Sequence, residues 1–301
     1  MRFSSLFIVA VPLLSGAFAI AQARGLEPID DSTSKAVARF VSDPTRSALH
    51  RLAREVHPTQ FVSAVYGGGR AMRLCALEAM AVSALPAAEL PFLLALLETR
   101  DRSVSGRAAH ALSEISGRFA QPDDAGLEMP MAQRQELAER LTSVVRNVHL
   151  DPDIRVVAWQ TMSWLLPSAA RSPKLVLFGL SDDEVAVRRA GLSMLSLPAG
   201  TEETLAVAHR VQEDDDPAMR GQAAAALCEN ALAHGVSAAS PDLIRLLLGA
   251  LSDEKIPVDA LAAILLCVKH FEAHQHAAFA EQVAKHPDER LQALWKTPRS
   301  S

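Results

Sequence analysis

Asp216–Leu227, DPAMRGQAAAAL, is the stretch whose reading decides the fold class. Asp216 is placed to accept the first free amides of a helix, and Pro217 stands at the first helical position, where a missing N–H costs nothing. Met219, Ala223 and Leu227 then recur at i, i+4 and i+8, which lays one apolar stripe along the helix. Such a face must be buried, and the small residue at its centre admits a close neighbour.

The same stripe returns along the chain. Met72, Ala76 and Met80 form one copy; Val104, Ala108 and Leu112 the next; then Ile154, Ala158 and Met162, and Val187, Gly191 and Leu195. First members are offset by 32, 50, 33 and 32 residues, the last offset leading to Met219. A period near 32 is the length of two short helices and two turns. A sixth stripe, Val258, Ala262 and Leu266, lies 39 residues further on with Pro257 as its first helical residue. Partner helices are expected over Leu90–Glu98, Arg134–Val148, Lys174–Leu180, Glu202–Val211 and Asp242–Leu251. Neither helix of a pair can bury its stripe alone, so pairs must stack on their neighbours. Asp43-Pro44 opens an atypical first copy in the same cap-then-proline manner, and Gly67–Gly69 reads as a turn.

Composition agrees with helices. The 301 residues are 49% hydrophobic but only 5% aromatic, with one Tyr, and Ala and Leu stand where β-branched runs would favour strands. The segments DPDIRVVAWQTM, DEVAVRRAGLSML and DPAMRGQAAAAL resemble the second helix of HEAT repeats of the short bacterial type, whose pattern is roughly Asp-Pro-x-Val-Arg-x-x-Ala-Ala-x-Ala-Leu. The resemblance covers about Asp43 to Leu266. It implies an all-α superhelix of six or seven stacked helix pairs, an armadillo-like α-solenoid spanning residues 35–296. It also implies a ladder of Asp–Arg contacts along the stacked turns, carried here by Asp151 with Arg155, Asp216 with Arg220 and, more loosely, Asp183 with Arg188. Asp and Arg at i, i+4 also pair within one helix, so these charges read as structural.

Residues 1–23 have the layout of a secretory signal peptide: Arg2, an apolar core from Leu6 to Leu14 broken only by Pro12, and small-x-small sites through Ala17, Ala19, Ala21 and Ala23. Cleavage is expected after Ala21 or Ala23, followed by a polar linker over 24–34, which makes the protein periplasmic or secreted. The apolar core is shorter than the roughly 20 residues of a membrane span, so no integral membrane segment is expected after cleavage. Without residues 1–23, 29 basic residues face 35 acidic ones, a net charge of −6, the wrong balance for a protein that tracks phosphates. Nucleic acid is not an expected partner.

Several features could carry chemistry. The 50-residue offset holds an insert near 117–132, GRFAQPDDAGLEMPMA, whose Pro, Gly and Asp content marks a loop with Asp123 and Asp124 as partner-binding candidates. Trp159 reads as core, whereas Trp164 is the best anchor if the inner surface of the repeats is a binding groove. His270 and His274 at i, i+4 would share one face of a helix, with Glu281 or His286 as a third metal ligand, although His-x-Glu-x-His departs from the His-Glu-x-x-His pattern. A solvated terminal helix is the competing reading. Asp288–Trp295 closes the stack, and 297–301 is an unstructured tail.

Three cysteines, Cys75, Cys228 and Cys267, show no Cys-x-x-Cys spacing. Cys228 and Cys267 follow Leu227 and Leu266, the last stripe residues of neighbouring copies, which predicts matching places on adjacent helices. Helix axes lie about 8–10 Å apart and a disulfide needs Cα atoms within about 7 Å, so free thiols are expected.

No Gly-x-Ser-x-Gly elbow, phosphate-binding loop or dinucleotide fingerprint is present. Among HEAT-like families one hydroxylates a modified lysine with iron held by His-Glu pairs and another attaches bilins, but this chain contains no His-Glu dipeptide. The sequence therefore points to a non-enzymatic scaffold that binds a protein or peptide and needs no cofactor. An exported enzyme or metal-binding protein using the C-terminal histidines, and an envelope component without a discrete ligand, are the alternatives.

Overall fold

The computed structural model describes residues 28–83, 90–119, 130–167, 171–235 and 239–297, and among them every regular element is helical. The proposed signal peptide, the loop candidates Asp123 and Asp124 and the last four residues of the tail lie outside the described residues. The chain divides between Leu165 and Leu166 into two compact units.

The first unit contains α1 (Asp31–Ser42), α2 (Arg46–Glu55), α3 (Pro58–Gly67), α4 (Arg70–Val82), α5 (Leu90–Leu97), α6 (Arg102–Phe119), α7 (Met131–Arg146) and α8 (Pro152–Leu165). Asp30 caps α1 by accepting the Thr33 N–H at 2.6 Å. Thr45, not Asp43, caps α2, accepting the Ala48 N–H at 3.2 Å, so Pro44 precedes the helix instead of opening it. Helices α4, α6 and α8 lie side by side, while α3 packs on α4, α5 on α6 and α7 on α8; α1 and α2 cover the free side of α4.

The second unit repeats that plan with α9 (Pro173–Leu180), α10 (Val185–Ser193), α11 (Thr201–Glu213), α12 (Pro217–Ala233), α13 (Pro241–Leu251), α14 (Val258–Val268), a 3₁₀ turn (Ala273–Gln275), α15 (His276–Lys285) and α16 (Glu289–Lys296). Helices α10, α12, α14 and α16 make one layer, and α9, α11, α13 and α15 the other. Within each unit the two-layer stacking of helix pairs is consistent with a helical repeat. No helix among the described residues is long and apolar enough to cross a membrane.

Most stripe residues form the core as their spacing requires, but Met72 and Leu195 are only half-buried, Leu195 because α10 ends at Ser193 before reaching it. Ala76, Ala108, Ala158, Met162, Val187, Met219 and Ala223 are fully buried. Burial of each large side chain in this set contributes about 1.5–3 kcal/mol. At two positions glycine admits a close neighbour. A Cβ on Gly191 would lie 2.9 Å from the Gly179 Cα, so α10 rests directly on α9; one on Gly221 would lie 2.6 Å from Ile256 and 2.7 Å from Ala260.

The sixth stripe is displaced by one residue. Leu261, Ile264, Leu265, Cys267 and Val268 are the buried residues of α14, while Leu266 is 52% exposed. Pro257 is the N-cap of α14 and the helix begins at Val258, so the register runs one residue earlier than the Val258-Ala262-Leu266 pattern.

The expected insert is only partly a loop. Helix α6 continues through Gly117 to Phe119 and α7 starts at Met131, so much of the extra length in the 50-residue offset goes into two long helices of 18 and 16 residues.

Candidate functional site

Two sets of polar side chains recur along the helix pairs. The first is an arginine four residues after the cap of the second helix: Arg73, Arg155, Arg188 and Arg220. In three of them the guanidinium reaches back to carbonyls that precede the helix. Arg73 donates to the Val65 carbonyl at 2.7 Å, Arg188 to those of Asp182 and Asp183 at 3.0 and 2.8 Å, and Arg220 to that of Asp214 at 2.7 Å.

In the second unit the same arginine also reaches forward. Arg188 binds both carboxylate oxygens of Asp214, each at 2.8 Å, and Asp215 at 2.7 Å. Arg220 binds Asp253 at 2.6 and 3.1 Å. The ladder therefore joins one helix pair to the next, not Asp216 to Arg220 or Asp183 to Arg188 within a pair. Asp216 is the helix cap, accepting the Met219 N–H at 2.7 Å, and pairs with Arg189 of the preceding pair. Sequence spacing misses this because an acid four residues from an arginine satisfies the helical rule whichever way the side chains turn.

The Arg188 and Asp214 side chains are 6% and 0% exposed. Burial pushes the Asp214 carboxyl up, but hydrogen bonds from Arg188 and from the Asp216 N–H, with the Arg188 charge, outweigh it and hold the group below the usual carboxylate range. Asp253 shows the same balance, burial against the hydrogen bond from Arg220 and the Lys255 N–H. These are the geometry of structural ion pairs, satisfied on several sides, and the Arg188–Asp214 pair is sealed from solvent.

The second recurring set is an amide side chain that holds the start of a preceding helix. The Gln60 oxygen accepts the Asp30 N–H at 3.1 Å, the Asn230 oxygen accepts the Ala199 N–H at 2.6 Å, and Gln275 both accepts from and donates to the Ala239 backbone at 3.1 and 2.9 Å. No sequence signal singles out these residues, since they share no common motif or spacing: Gln60 follows Thr59, Asn230 follows Glu229 and Gln275 lies between two histidines.

Trp159 is fully buried in α8, as expected of core. Trp164, one and a half turns later, is half-buried and lies across Gly117 of α6, its six-membered ring 3.7 Å from where a Cβ on that glycine would be. Around it the α4–α6–α8 layer is polar: Glu78 pairs with Arg107, and His110, Glu114 and Gln160 are exposed. Trp164 is thus an amphipathic ring on a rigid helical face, the arrangement that suits a binding anchor.

The C-terminal histidines do not converge. Helix α14 ends at Val268, so His270 lies in a turn and His274 in the 3₁₀ segment, and the shared helix face expected of them does not form. His274 is exposed beside Glu272, at 3.2 Å, and His286 accepts the Asp288 N–H at 3.1 Å beyond the end of α15. Among the described residues no three His, Cys, Asp or Glu side chains gather as metal ligands. The region does form an open cleft of about 450 Å³ between α15 and α16, lined by Lys269, His276, Trp295, Thr297 and three alanines. Lys269 donates to the Leu294 and Thr297 carbonyls at 2.6 and 2.7 Å, so its charge serves to cap α16.

Cys228 and Cys267 form a disulfide, contrary to the expectation of free thiols, with Cα atoms 6.2 Å apart. Two errors combined. Facing Cα atoms stand about 2.3 Å off each helix axis toward one another, so they approach much more closely than the axes do. The one-residue register shift of α14 also turns Cys267 toward α12, and the Gly221 contact draws the helices together. Cys75 lies in the other unit with a thiol pushed up by burial, against a smaller opposing effect of Arg107. Compared with known protein families and with curated proteins, the sequence matches none of them.

Proposed function

We propose that the protein is an exported HEAT-like repeat protein that binds a protein or peptide along the α4–α6–α8 face of its first unit, with Trp164 as the anchor. The observation that carries this reading is the half-buried indole seated on Gly117 within an otherwise polar face. A ring held by a rigid helix loses little freedom on binding, which concentrates affinity at such a residue. The helix pairs behind it supply that rigidity.

Export is supported by the apolar Leu6–Leu14 core followed by small residues, and by a buried disulfide, a bond that persists in oxidising compartments. Determination of the N-terminus of the protein recovered from the cell envelope or medium tests it. A chain starting at Met1 would reject export.

The binding face is tested by placing a photo-crosslinking residue at Gln160 and, as control, at the exposed Glu139 of α7 in the other layer. A discrete adduct from position 160 that is absent from position 139 and lost in Trp164→Ala is the expected result. Equal labelling from both positions, or an adduct unchanged by Trp164→Ala, rejects the assignment.

A further inference from the structure

Helix α2 carries an arginine face that no other described residue engages. Its sequence, RSALHRLARE, places Arg46, His50 and Arg54 at i, i+4 and i+8, with Arg51 beside them, all within an arc of about 140° at 100° per residue. All four are exposed. The opposite arc holds Ala48, Leu49, Leu52 and Ala53, of which Leu52 is fully buried and packs the helix down. The acid on the helix, Glu55, is taken by Arg39 of α1 at 2.7 Å. Among the described residues no carboxylate pairs with Arg46, Arg51 or Arg54. Arg51 and Arg54, three residues apart, are like charges on neighbouring positions of one helix, an arrangement that weakens the helix slightly and that an external anion would relieve.

We propose that the exposed face of α2 docks an acidic segment of a partner protein. Arg46 to Arg54 covers about 12 Å of helix rise, a length that two turns of a facing acidic helix or about four residues of an extended acidic chain would span. Arginine engages carboxylates through two parallel N–H donors, and every full cation of the face is arginine. A membrane surface fits less well, because an interfacial helix turns its apolar side outward and the apolar side of α2 faces α1 and α4. Duplex nucleic acid fits less well too, since the face is one short helix long on a chain of net charge −5. This surface is separate from the Trp164 face and stands whether or not that face binds.

Fluorescence anisotropy of a labelled decaglutamate peptide, titrated with the full chain at low ionic strength, tests the assignment. The expected result is saturable binding that weakens at least about tenfold in Arg46→Glu/Arg51→Glu/Arg54→Glu and is unchanged in Trp164→Ala. Arg102→Glu/Lys174→Glu/Lys255→Glu, an equal change in net charge at exposed positions elsewhere, is expected to weaken it less than about threefold. The substituted side chains are exposed in both triples, and circular dichroism checks that each retains its helices. Absence of binding to the wild type, equal loss in the two triples, or tighter binding of duplex DNA or of phosphatidylglycerol vesicles than of the peptide overturns the proposal.

Discussion

Replacing Arg188 with methionine tests the energetics of the second unit most directly. The methionine keeps the aliphatic stem against its neighbours and removes the guanidinium. Asp214, whose side chain is 0% exposed, then loses both bonds from Arg188 and keeps the Asp216 N–H at 3.0 Å and a distant Arg210 at 3.6 Å. The carbonyls of Asp182 and Asp183 lose their donor as well. Breaking a buried ion pair from one side costs about 3–5 kcal/mol, because the remaining charge stays desolvated. At about 2–4 °C per kcal/mol for a chain of this size, the melting temperature should fall by roughly 6–20 °C. Urea denaturation followed by circular dichroism reads the loss directly. Arg188→Met/Asp214→Asn should recover part of it, since no buried charge is then left alone. The comparison is Arg39→Met, which breaks a pair that is 64% and 40% exposed and should cost less than about 1 kcal/mol. An Arg188→Met protein within about 1 kcal/mol of wild type would refute the claim that Asp214 depends on that arginine.

Three further outcomes are expected. Alkylation without reductant should leave Cys228 and Cys267 unlabelled and linked, and Cys228→Ala/Cys267→Ala should lower stability by about 4 kcal/mol, the chain entropy of the loop closed across a separation of 39 residues; labelling of both thiols would contradict the bond. Gly191→Ala should destabilise by about 1–3 kcal/mol because its methyl meets the Gly179 backbone, whereas Gly106→Ala, on an open surface of α6, should gain about 0.5–1 kcal/mol; thermal melts giving the same sign for both would defeat the packing argument. Asp214, Asp216 and Asp253 all titrate below their ordinary value of 3.8 in the folded chain, so the stability they contribute is complete above that pH and is lost as pH falls through their depressed values. Urea midpoints measured between neutral pH and pH 3 should therefore decline on the acid side; a rise toward acid would contradict the assignment.

The helical class and most of the core were legible because an apolar residue every third or fourth position admits one explanation over a dozen residues. Ala76, Ala108, Ala158 and Ala223 lie where that pattern puts them. The last stripe slipped by one residue because Val258-Ala262-Leu266 and Leu261-Leu265 are equally apolar, and only contact with α12 distinguishes them. That slip carried into the reading of Cys267. The direction of the arginine ladder was hidden for a related reason, as Arg220 has an acid at Asp216 in sequence and a different one, Asp253, in space. The histidines were misread because spacing of four has meaning only inside a helix, and α14 stops before His270. Trp164 could be nominated from composition, but its seat on Gly117 belongs to two helices that no local window joins.

The ladder in the second unit has a direction and an end. Each link has its donor in one helix pair and its acceptor in the next, Arg188 to Asp214 and Arg220 to Asp253, so a pair carries one half of two different links. A gene duplication that copied α11 and α12 whole would present an arginine to the old acceptor and an acid to the old donor, and the array could lengthen without a new solution. Cutting inside a pair would strand a charge. The fourth position after the cap of α14 is Leu261, which has nothing to donate and is fully buried. By that rule the ladder ends at α14, where a leucine takes the place of the arginine, while α15 and α16 continue the two layers by apolar contact and without that link.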